Sequence, residues 1–74
     1  MGQIFKITNK YIELNKLLKA TGLCSTGGQA KLVIDDRQVL VDGKIETKKR
    51  RKLKSGMIVK YDNNTIKIVD DKKE

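Results

Sequence analysis

Apolar residues recur along this chain at two different spacings, and the change between them divides it into a helical and a strand-forming half. The opening stretch, Gln3-Ile4-Phe5-Lys6-Ile7-Thr8, alternates loosely and is rich in β-formers, which predicts a short strand. Across 11–21, Leu14, Leu17 and Leu18 fall at i, i+3 and i+4, one face of a helix, with Thr8 or Asn9 as its expected amino cap. Gly22 suits the position just past that helix, where a left-handed backbone costs it no side-chain strain, and Leu23 would fold back onto Leu18. A second helix is expected almost at once. Thr26-Gly27-Gly28-Gln29 has the T-x-x-Q spacing of a capping box: Thr26 accepts from the Gln29 N–H and the glutamine side chain reaches back. Ala30, Val33 and Ile34 form its buried face to about Asp36. Asp35 and Asp36 oppose the helix dipole there and are expected to pair with Arg37 or Lys31.

From Gln38 the period falls to two. Val39-Leu40-Val41 reads as a strand, Asp42-Gly43 as a tight turn and Lys44-Ile45-Glu46 as the returning strand. Residues 47–55 read as a loop in which Leu53 alone tucks inward. Gly56 opens a last hairpin, with strands over 57–61 and 65–69 around a turn at Asp62-Asn63-Asn64. The fold class expected is α+β, with two short helices packed on a small, mostly antiparallel sheet of three to five strands. One domain is expected over 1–69, followed by a charged, disordered tail over 70–74.

Charge changes the picture. The 74 residues carry 17 Lys+Arg against 9 Asp+Glu, a net of +8. The excess is concentrated: between Lys44 and Lys54 stand seven basic residues and a single acid, Glu46. So dense a patch is the electrostatic footprint of a polyanion. Lysine outnumbers arginine, which favours phosphate contact over bidentate base reading. With no His and one Cys, His-dependent triads, Cys/His zinc sites and disulfide scaffolds are excluded. No acidic pair is set by pattern into a pocket, so the chain reads as a non-enzyme without metal or cofactor. Cys24 reads as a small buried hydrophobe rather than a reactive thiol. No apolar run exceeds three residues, so no membrane span is expected, and a cytoplasmic, monomeric protein is.

Two features carry candidate chemistry. Glycine is a poor helix former, so Gly27-Gly28 either allow tight packing or an unusual turn, or let a phosphate approach bare N–H groups at a helix start. Lys48-Lys49-Arg50-Arg51-Lys52 with Lys54 would track a phosphate backbone. Phe5, Tyr11 and Tyr61 are scattered, which argues against a single-strand stacking platform and for structured RNA.

The ordered set Glu13-Leu14-Asn15-Lys16-Leu17-Leu18, Gly22-Leu23, Thr26-Gly27-Gly28-Gln29-Ala30-Lys31, Val39-Leu40-Val41-Asp42-Gly43-Lys44 and Gly56-Met57-Ile58-Val59 resembles the S4 RNA-binding domain, the αL module. The resemblance covers about 11–61, and at the second helix it extends to a group of small stand-alone bacterial S4-domain proteins. Glu13 and Gly27 stand where the family usually has arginine, and Arg37 where it usually has glycine. The resemblance implies that Thr26, Gly27, Gln29, Ala30 and Lys31 form one part of an RNA surface and Asp42, Gly43 and Lys44 a second. Lys48, Lys49, Arg50, Arg51, Lys52 and Lys54 are added from charge alone. The function expected is a non-catalytic module for structured RNA, rRNA or tRNA on a ribosomal particle, with no small-molecule substrate. A DNA-binding protein and a protein adaptor are the alternatives. Duplex DNA fits less well, because glycines occupy the places from which a recognition helix reads bases.

Overall fold

The computed structural model describes residues 2–71. Its elements run β1 (Gly2–Ile7), β2 (Ile12–Glu13), α1 (Leu14–Ala20), α2 (Gly27–Asp35), β3 (Val39–Val41), β4 (Lys44–Ile45), β5 (Lys52–Leu53), β6 (Ile58–Tyr61) and β7 (Asn64–Asp70). The main sheet has the order β1-β7-β6-β3-β4, and β2 and β5 form a separate two-stranded ribbon. Every pairing is antiparallel except β1 with β7. The architecture is therefore the expected one, two helices on a mostly antiparallel α+β sheet.

Alternation decides which sheet face is covered. Val41, Val59 and Ile66 lie side by side across β3, β6 and β7, and all three are buried with Val39 and Ile68. Leu14, Leu17 and Leu18 of α1 and Ala30, Val33 and Ile34 of α2 close over them, with Cys24 and Leu53 in the same core. No polar or charged side chain is buried among the described residues. The opposite face carries the intervening residues, including the exposed Ile4, Ile45 and Ile58.

Local chemistry explains the turns. Asp42 and Gly43 both take positive φ, 52° and 84°, as do Asp62 and Asn63, at 49° and 66°. Two left-handed residues make the two-residue turn whose twist matches the flanking strands, so Asn64, expected in the turn, instead begins β7. Past α1, Gly22 is left-handed (φ 81°) and donates to the Lys19 carbonyl at 3.1 Å. The Leu18 carbonyl is taken by the N–H of Cys24, not of Leu23 (3.0 Å). Past α2, Arg37 is left-handed at φ 61° and donates to the Ile34 carbonyl, while Gln38 donates to that of Val33 (both 3.1 Å). That is a complete Schellman stop with arginine in the glycine position.

Four expectations are corrected. The first helix starts at Leu14, because the preceding residues pair with β5. Neither Thr8 nor Asn9 caps it: Glu13 is the N-cap residue and makes no side-chain cap bond. Asp36 binds the Gln38 amide at 2.6 Å, and neither Asp35 nor Asp36 forms an ion pair with Arg37 or Lys31. Asp70 closes β7 opposite Ile7 rather than opening a tail; residues 72–74 of that tail lie outside the described residues.

Candidate nucleic-acid interface

The amino end of α2 is built as a cap with an open mouth. Thr26 Oγ1 accepts from the Gln29 N–H at 3.1 Å, and Gln29 Oε1 accepts from the Ser25 N–H at 2.8 Å, one residue beyond the expected box. The N–H groups of Gly27 and Gly28 have no acceptor among the described residues, as the first turn of a helix dictates. Neither glycine has positive φ. A Cβ at Gly27 would meet nothing within 4 Å, and one at Gly28 would lie 3.8 Å from Thr26 Oγ1, an ordinary contact. Packing and backbone strain are thus both removed as reasons for the pair. Lys31 is exposed one turn on. Ala30 is not part of this surface: it is wholly buried in the core, so its place in the contact set is corrected to a packing position.

The Asp42-Gly43-Lys44 turn is fastened to β6. Asp42 donates its N–H to the Ile58 carbonyl at 2.7 Å, and its Oδ1 accepts from the Ile58 N–H at 2.9 Å. Its carboxylate therefore holds the turn, while Lys44 is exposed. The basic segment ends just ahead of the same strand, where Met57 donates its N–H to the Lys54 carbonyl at 3.2 Å.

That segment is anchored, not free. Lys52 and Leu53 form β5 against β2, and Leu53 is fully buried. The carbonyls of Arg51 and Lys49 accept from the N–H groups of Leu14 and Asn15 at 3.0 and 2.9 Å. These are two of the orphan donors that every helix start presents, so the basic segment's main chain caps α1 while its side chains turn outward. Among the described residues, Arg51 is the one cation of the run held by an acid, Glu46, at 3.0 Å. Glu46 also accepts from the Lys48 N–H at 3.2 Å. Lys52 Nζ lies over the Tyr11 ring, 5.0 Å from its centroid. Lys48, Lys49, Arg50 and Lys54 have no acidic partner among the described residues, and all but the half-buried Lys49 are exposed.

The turn and the end of the basic segment are thus brought together at the start of β6, and the middle of the segment is bonded to the start of α1. The amino end of α2 shares no hydrogen bond or ion pair with either. Sequence reasoning missed Glu13 and Ile12 as groups that hold the segment, since main-chain pairing of two-residue strands leaves no side-chain pattern, and it missed Glu46, whose carboxylate meets Arg51 only once the chain has folded back. Burial raises the Cys24 thiol above its ordinary value, in keeping with a small buried hydrophobe.

A model of the S4 domain matches residues 5–69. YbcJ of Escherichia coli (strain K12) is 41% identical over 59 residues, covering 80% of this chain and 84% of that protein. A Shigella flexneri YbcJ matches to the same extent. The solution structure of YbcJ from E. coli, described as revealing an αL motif involved in RNA binding, superposes with a TM-score of 0.69 at 37% identity, over 89% of this chain and 85% of that one.

Proposed function

The chain belongs to the S4 domain family, and on that footing we propose that it is a non-catalytic module that binds structured RNA through the phosphate backbone. The RNA is rRNA or tRNA on a ribosomal particle, and the protein acts as a cytoplasmic monomer. No helix among the described residues is long and apolar enough to cross a membrane. One phosphate sits at the open N–H groups of Gly27 and Gly28, where the helix dipole favours an anion, with Lys31 one turn away. Lys44, Lys48, Lys49, Arg50, Lys52 and Lys54 follow the adjacent backbone.

The observation that carries this reading is the fastening of the basic segment. Its main chain caps α1 and Leu53 roots it in the core, so its cations are presented on a fixed frame and lose less freedom on binding. If about five phosphates are neutralised, log K falls against log salt with a slope of roughly −3.5 to −4.5. Replacing Lys48, Arg50 and Lys54 by Gln should weaken binding and flatten that slope by about two or more. Titrations of tRNA or an rRNA fragment at several salt concentrations measure it, with duplex DNA as competitor. An unaltered slope in the triple variant would remove the segment from the interface.

A further inference from the structure

We propose that the cleft beside Tyr11 takes one unpaired nucleobase, preferably guanine, of an RNA whose backbone follows the basic segment; the inference rests on the RNA-binding reading. In the linear sequence Tyr11 stands nearly forty residues from the basic run. The pairing of β2 with β5 sets Ile12 opposite Leu53 and Glu13 opposite Lys52, which carries Tyr11 to the edge of that run. Its ring lies under the Lys52 ammonium, an arrangement the negative π-face favours, yet the residue stays 39% exposed. Beside it opens a cleft of about 590 Å³ lined by Asn9, Lys10, Tyr11, Ile12, Glu13 and Lys16, within the usual range of about 300–1,000 Å³ for small-molecule sites.

The lining suits a nucleotide part by part. Tyr11 offers a stacking surface, which every base can use. Lys10 and Lys16 are point charges suited to its phosphate. Glu13 is the cleft's one acid, and its side chain is 24% exposed, 3.7 Å from Lys16 Nζ. An ionised carboxylate only accepts hydrogen bonds and has about four lone-pair positions, so contact with one lysine leaves acceptors for a base. Guanine presents two adjacent donors, N1–H and its amino group, whereas uracil presents one N3–H between two carbonyl oxygens. Stacking together with recognition of the Watson–Crick edge is how unpaired bases are read in RNA.

The test uses the full chain and three RNA hairpins, one fully paired, one with a bulged guanosine and one with a bulged uridine. The guanosine bulge should bind most tightly. Tyr11→Leu, which keeps apolar bulk, should erase the advantage over the paired hairpin, a loss of roughly 5- to 150-fold for one stack; Tyr11→Phe should retain it. Glu13→Gln should bring the two bulges level. In a Tyr61→Phe background, where Tyr11 is the sole tyrosine, the guanosine bulge should quench tyrosine emission. A bulge preference that survives Tyr11→Leu, or equal binding of all three hairpins, overturns the inference and leaves the RNA reading standing. A guanosine preference unchanged in Glu13→Gln overturns the role of Glu13. Failure of every hairpin and of tRNA to bind overturns both readings.

Discussion

Gly27 and Gly28 occupy a helix start where alanine would fit. Since neither packing nor φ requires glycine there, Gly27→Ala with Gly28→Ala should leave the fold intact and raise its stability by up to about 1 kcal/mol. If the bare N–H groups seat a phosphate, the same variant should bind RNA less tightly. Urea denaturation beside an RNA titration reads both, and unchanged affinity would reduce the pair to an incidental feature. Arg37 poses the reverse case. Its left-handed backbone (φ 61°) costs an L side chain roughly 1–2 kcal/mol, part of which glycine returns as unfolded-state entropy. Arg37→Gly should therefore stabilise the protein by about 0.5–1 kcal/mol, read as a rise in the urea midpoint at constant slope.

Among the elements, β5 with its flanks joins structure to charge. Main-chain carbonyls cap α1, one apolar side chain enters the core and the cations face outward, so the two roles separate by mutation. Leu53→Ala empties a fully buried position and should cost about 2–5 kcal/mol. A core of this size rarely supplies more than roughly 3–5 kcal/mol, so that variant should be largely unfolded at 25 °C by circular dichroism. The side chains of Lys48, Arg50 and Lys54 make no hydrogen bond or ion pair among the described residues, so replacing all three by Gln should shift stability by less than about 0.5 kcal/mol. Similar losses in both variants would contradict the division between main-chain support and side-chain charge.

At the scale of the whole molecule no charged side chain is buried among the described residues, and the pH dependence of stability expected from the buried groups is an alkaline one. Burial pushes the Cys24 thiol up; burial, then the neighbouring Cys24 and Asp62 charges, push the Tyr61 hydroxyl up. The unfolded chain releases these protons at ordinary values, near about 8.5 for a thiol and about 10 for a phenol. Above about pH 8.5 it therefore holds fewer protons than the folded chain, and stability falls as pH rises. Denaturation midpoints measured from about pH 7 to about pH 10 should decline, and Cys24→Ala should abolish the part that begins at the thiol value. A flat profile in the parent chain would mean that the thiol is not desolvated.

Short-range chemistry accounts for what could be read from the residues alone. The i, i+3, i+4 leucines, the Thr26 cap, Gly22, the Asp42-Gly43 turn and the basic run are each local, with dihedral, capping or charge preferences that act within a few residues. They sufficed for two helices, two hairpins, the α+β class and a dense basic patch. Partnerships between distant segments carry no such signal. Nothing in Gly2–Ile7 names β7 as its parallel neighbour. Two residues of β2 are too few to show a strand period, so the helical spacing of Leu14, Leu17 and Leu18 was extended over them. Ala30 is the converse case: its spacing with Val33 and Ile34 already marked it as buried, and the structure bears that out against its motif-based place in the contact set. The capping of α1 by Lys49 and Arg51, and the arrival of Tyr11 beside Lys52, depend on main-chain bonds that the backbone of almost any residue could make. Only the folded chain could settle those, because a backbone donor seeks the nearest free acceptor, and what is nearest is set by the packing of the core.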